Sequence, residues 1–223
     1  WSSDVCSSDL EGTTTVTIQK GTVADVFGGG NEALVTGATQ VNMTGGAITH
    51  LYGGGNEAGV DGTTTVSVSG GTIAEGLYGG CNTSGTVTGD ISVNATGGTI
   101  GTNDTGSDDG IFGGGYGLTN EKPCDVYEAH VSWNSESALV GGYRSGIFGG
   151  NNNCRRTLYS FVDINSKVYY DKANGYLASA FGAGYGEDTW SQYTQVNLND
   201  GAQLYEVYGG GYGGMVLNKE SVQ

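Results

Sequence analysis

Four side chains in one short polar stretch, Asn103, Asp104, Asp108 and Asp109, are the best-equipped residues of this chain to hold a hard cation. Calcium takes several oxygen ligands from carboxylates and amides, and this stretch supplies them. The spacing, however, matches neither the EF-hand loop nor the glycine-rich nonapeptide of calcium-binding β-rolls. A solvated acidic loop is therefore expected, with calcium as the one candidate cofactor. Cys81, Cys124 and Cys154 form no Cys-x-x-Cys pair, which argues against a structural zinc site. Cys124 and Cys154 each follow a glycine-rich turn, so a disulfide between two neighbouring loops is geometrically allowed. Nucleophilic catalysis would need a base beside a Ser or Cys, and neither His50 nor His130 has such a spacing. The strong cations are Arg144, Arg155 and Arg156, few for an enzyme that cleaves polysaccharides. Thr13 to Thr15 and Thr63 to Thr65 suggest a regular hydroxyl array, but Ala38-Thr39-Gln40 and Thr88-Gly89-Asp90 interrupt it.

What must position these residues is a repeat. Val16 and Ile18 recur as Val41 and Met43, Val66 and Val68, then Ile91 and Val93. A second signature follows each pair: Gly21-Thr22-Val23, Gly46-Ala47-Ile48, Gly71-Thr72-Ile73 and Gly98-Thr99-Ile100. A third is an aliphatic residue, an aromatic one and then glycine: Val26-Phe27, Leu51-Tyr52, Leu77-Tyr78, Ile111-Phe112, Ile147-Phe148, Ala180-Phe181 and Val207-Tyr208. That makes seven units. The alternation in each is that of a half-buried strand rich in β-branched residues, and no helical period is present.

A unit of this length with Gly, Asn and Asp turns predicts an all-β fold, a parallel β-solenoid or β-helix of about seven rungs. At about 4.8 Å per rung the rod would be roughly 30 Å long. Glycine supplies tight corners and close backbone approach. Loop insertions fall in rungs four to six, at Gly101 to Gly110, Leu118 to Ala129 and Asn151 to Ser160. The four acidic-loop residues and both candidate disulfide cysteines sit in them.

Composition narrows the function classes. The 44 glycines among 223 residues come with one proline and no three-residue period, so the chain is not collagen. Apolar residues at 36% are too many for a disordered linker. A net charge of −15 repels phosphate backbones and anionic membranes, so nucleic acid is not an expected partner. Neither is direct insertion into a membrane, since no apolar run is long enough.

Trp1 to Leu10 resembles the translation of a sequencing-library adapter and is set apart from residues 11–223, the expected single repeat domain. That resemblance implies a chain assembled from environmental DNA and shorn of its natural start, a fragment of a longer protein. Without Asp4 and Asp9 the charge moves from −15 to −13, so the acidity belongs to the repeats.

The Val-x-Val, Gly-Gly-Thr-Ile and Tyr-Gly-Gly-Gly-Asn motifs resemble the glycine-rich β-solenoid repeats of large bacterial surface proteins, of the adhesin and autotransporter-passenger kind. The resemblance spans Glu11 to about Leu217. It implies export, an extracellular or cell-surface location, and attachment to host or community glycans or surface proteins without catalysis. The alternative is a secreted polysaccharide lyase or hydrolase of the β-helix type.

Neighbouring strand residues face opposite ways, so one of the two columns in the third signature is expected inside and the other outside. With the aliphatic column inside, Phe27, Tyr52, Tyr78, Phe112, Phe148, Phe181 and Tyr208 form an outward ladder, a candidate glycan-binding platform of flat apolar rings. The alternative is that the rings stack on one another or under the insertions and stabilise the rod.

Overall fold

A computed structural model describes residues 9–101, 110–117, 124–135, 139–140, 146–153 and 155–213. These residues are all-β: they contain no helix, and their sixteen strands join in one hydrogen-bonded sheet. Every pairing between units is parallel, and the sheet winds into a coil. The one antiparallel contact is local, between Tyr169–Asp171 and Tyr176–Leu177.

The longest strand, Thr39–Tyr52, carries all three sequence signatures of its unit in one run. Its start pairs with Thr14–Ile18 and its middle and end with Thr22–Phe27 on one side. On the other side it pairs with Thr64–Ile73 and Gly76–Tyr78. Inward positions of the first segment build a column of valines: Val16, Val41, Val66, Val93, Val131, Val162 and Val196. The five inner members are fully buried. Each such side chain contributes about 1.5–3 kcal/mol relative to exposure, which makes the column a principal source of stability.

The column corrects one expectation. Val66 pairs with Val93, and Ile91 pairs with Thr64, so Ile91 is not the fourth member. Between these units the chain has one more residue before Leu77 and another before Val87, as the pairs Leu51 with Leu77 and Val60 with Val87 require. A shift of two residues preserves strand alternation, so hydropathy alone does not distinguish the two registers.

The aliphatic residues of the third signature enter the same core: Val26, Leu51, Leu77, Ile111, Ile147 and Ala180. A further column, Val35, Val60, Val87 and Val126, closes it through isolated parallel bridges, and Leu10 extends that column by pairing with Val35. Leu10 thus sits in register with the repeats although the sequence groups it with the leading segment.

Two glycine positions are needed for the coil to close. Gly21, Gly46, Gly71 and Gly98 take φ of 98°, 87°, 93° and 89° at the bend between the first and second segments, a region that L side chains avoid. At Gly53, immediately after the aromatic column, an added Cβ would lie 2.3 Å from the Gly79 carbonyl oxygen of the next unit. Stacking at strand spacing leaves no room there for a side chain.

Candidate functional site

The aromatic column is continuous from Phe27 through Tyr52, Tyr78, Phe112, Phe148 and Phe181 to Tyr208. Successive ring centroids lie 5.1, 5.0, 5.0, 4.8, 4.6 and 5.0 Å apart, and no interplanar angle exceeds 10°. It is not an outward platform along its length. Tyr52, Tyr78, Phe112, Phe148 and Phe181 are buried in a second core, Phe27 is half-buried, and only Tyr208 is well exposed.

The two columns do face opposite ways, as strand geometry requires, but both are interior. The glycine tracts after Phe112, Phe181 and Tyr208 each bring a tyrosine over the stack. Tyr116, Tyr185 and Tyr212 meet the edges of Tyr78, Phe148 and Phe181 at centroid distances of 5.5, 5.8 and 5.7 Å. Asn152 donates from Nδ2 to the Tyr78 hydroxyl at 3.2 Å. Buried rings stacked in this way stabilise the coil; a sugar could reach only the terminal rings.

Asn103, Asp104, Asp108 and Asp109 lie outside the described residues, and so does Cys154. Cys124 is buried, and its thiol donates to the Asn82 carbonyl at 3.0 Å. Cys81 is buried in the same core, with its thiol 3.3 Å from the Ala58 carbonyl.

His50 lies between Asp25 and Glu75, the equivalent residues of the flanking units. Its Nδ1 is 2.8 Å from Asp25 Oδ1 and its Nε2 is 2.8 Å from Glu75 Oε2. This is a partly exposed corner, as its repeat position suggests, and it ties three units together.

An exposed aromatic face occurs elsewhere. Strands Val126–Trp133, Arg156–Ile164 and Trp190–Leu198 pair side by side in units five to seven. Their outer columns are Arg156 and Trp190, with Asp125 paired to Arg156; then Glu128, Tyr159 and Tyr193; then His130, Phe161 and Gln195. The equivalents of His130 in units one to four are Thr15, Gln40, Thr65 and Ser92. Aromatic rings therefore appear on this face only where the spacing becomes irregular.

Tyr127, within the stack, is 50% exposed, which sets this face apart from the buried ladder; Tyr193, at 48%, lies in the last described unit, where the ladder ring Tyr208 is exposed as well. Tyr159 makes an edge contact with Tyr127 at 5.5 Å, Phe161 lies 5.8 Å from Tyr193, and His130 stacks on Phe161 at 4.6 Å. His130 Nε2 is held 2.6 Å from Glu128 Oε1.

Next to these rings Asp125, Arg155, Arg156 and Trp190 line an open cleft of about 300 Å³. Arg156 Nη2 is 3.5 Å from Asp125 Oδ2. Arg156 Nε and Asp125 Oδ1 are buried without a hydrogen-bond partner among the described residues. Trp190 is anchored by its backbone N–H, which donates to the Arg155 carbonyl at 2.9 Å.

Sequence reasoning missed this face because Tyr159 and Tyr193 are 34 residues apart in an insertion-bearing part of the repeat. The signal available was the alternation within Tyr159-Ser160-Phe161-Val162, whose odd positions are aromatic. Comparison with family models, curated proteins and solved structures gives no match.

Proposed function

We propose that the chain is a seven-rung parallel β-solenoid that serves as an exposed, non-catalytic structural and adhesive stretch of an exported bacterial surface protein. The observation that carries this reading is the unbroken run of seven stacked rings from Phe27 to Tyr208, one ring from each unit. Equivalent residues superpose along one axis, which is how a solenoid extends: each repeat buries its apolar surface against its neighbours. The acidic surface suits a rod that must stay soluble, and the exposed rings of units five to seven offer contact surface for host or community glycans or surface proteins.

Two measurements test the reading. Far-ultraviolet circular dichroism of the purified chain is expected to show a β-sheet spectrum with no helical bands; a helical spectrum overturns the architecture. Antibody raised against the chain is expected to label intact producing cells without permeabilisation. Labelling only after permeabilisation overturns the surface location.

A further inference from the structure

We infer that the outer face of units five to seven binds an acidic saccharide, its carboxylate held by Arg155 and Arg156 and its rings laid on Trp190, Tyr159 and Tyr193. This rests on the adhesive reading only in supplying its ligand. Aromatic residues on this face are not needed to close the coil: in the column beside Tyr159 and Tyr193, where unit six carries Phe161, the first four units carry Thr15, Gln40, Thr65 and Ser92. Exposed aromatic residues at non-structural positions mark a contact surface, and flat rings lose little rotamer freedom when a sugar packs on them.

The neighbouring cleft decides the charge of the ligand. Two of the chain's three arginines line it against one carboxylate, Asp125, so the cleft keeps a local positive excess in a protein whose net charge is −15. A guanidinium presents five N–H donors in a planar fork. Arg156 makes one long contact to Asp125, and its Nε is buried without a partner among the described residues. The Arg156 side chain is 41% exposed, so a ligand carboxylate meets its guanidinium from the cleft through charge-assisted hydrogen bonds. A neutral sugar would stack on the rings but leave the excess positive charge of the cleft unmatched, and a simple carboxylate would leave the rings uncovered. A uronic acid residue supplies both chemistries.

Isothermal titration of the chain with trigalacturonate, maltotriose and acetate tests this. Trigalacturonate is expected to bind most tightly, with affinity falling as sodium chloride is raised, because the pairing is partly exposed. Arg156→Gln should weaken it about tenfold to a hundredfold and Tyr193→Ala about three- to tenfold. Arg155→Gln leaves the Asp125 ion pair in place and should also weaken binding, which keeps the test valid should Arg156→Gln lower the melting temperature. The inference is overturned if trigalacturonate does not bind, if maltotriose or acetate binds as tightly, or if affinity is unchanged in both Arg155→Gln and Tyr193→Ala. None of these outcomes alters surface labelling of intact cells, so failure of the ligand assignment is distinguishable from failure of the surface reading.

Discussion

Phe112 and Phe148 lie face to face, 4.8 Å between ring centroids and 6° between planes, at the centre of a ladder closed to water on both sides. Their separation is the strand spacing of the coil, so the stack measures how faithfully one unit repeats the next. Removing a central ring leaves a cavity that the neighbours cannot fill without shifting strands. Phe112→Ala is expected to cost about 3–5 kcal/mol, read as a lower midpoint in chemical denaturation. Tyr208→Ala at the exposed end is expected to cost less than about 1 kcal/mol. Equal losses at the two positions would contradict a stabilising ladder.

Gly53 and Gly209 occupy the same place in their units, directly after the aromatic ring. A Cβ on Gly53 would meet the Gly79 carbonyl at 2.3 Å, whereas nothing lies within 4 Å of one on Gly209. Gly53→Ala is expected to destabilise by about 3 kcal/mol or more, through overpacking against backbone that cannot move alone. Gly209→Ala should stay within about 0.5 kcal/mol of the parent. Thermal melting of the two variants side by side decides this.

The register between units three and four places Ser67 opposite Asn94. Two cysteines introduced by Ser67→Cys and Asn94→Cys are expected to cross-link under mild oxidation, since bridging needs Cα atoms within about 7 Å. The pair Ser67→Cys and Ser92→Cys, neighbours in the alternative register, should not. Mass mapping that finds the second bridge and not the first would restore Ile91 to the valine column.

Asp171 closes the turn between Tyr169–Asp171 and Tyr176–Leu177. Its Oδ2 accepts from Asn174 Nδ2 at 2.7 Å and its Oδ1 from the Asn174 backbone N–H at 3.1 Å. These bonds, that from the Asn174 side chain first, hold its carboxyl below the usual carboxylate range. A depressed folded value means that the stabilisation is complete above the unfolded value and is lost as pH falls through the folded one. Hydrogen exchange at Asn174 is therefore expected to quicken on acidification below about pH 4, and in Asp171→Ala it should be fast at every pH. Exchange in the parent that does not change with acidification, once corrected for intrinsic rates, would contradict the role of the carboxylate.

The strands and the unit boundaries were legible in the residues because period-2 alternation and a recurring aliphatic-aromatic-glycine motif are local signals. Val26-Phe27 through Val207-Tyr208 pair in the order in which they recur. Register across the fourth unit was not legible, since Ile91 and Val93 satisfy the same alternation and only the stacked turn of the neighbouring unit chooses between them. The burial of the ring ladder was not legible either: a strand has two faces, and whether the second is covered depends on where Tyr116, Tyr185 and Tyr212 return in space. The face that joins Arg156, Trp190, Tyr159 and Tyr193 arises from pairing between strands of different units, a non-local relation that tertiary structure alone decides. Sequence by itself determined the repeating strand and its glycine corners, through side-chain periodicity and backbone sterics; the stacking of units determined which aromatic rings are core and which are surface.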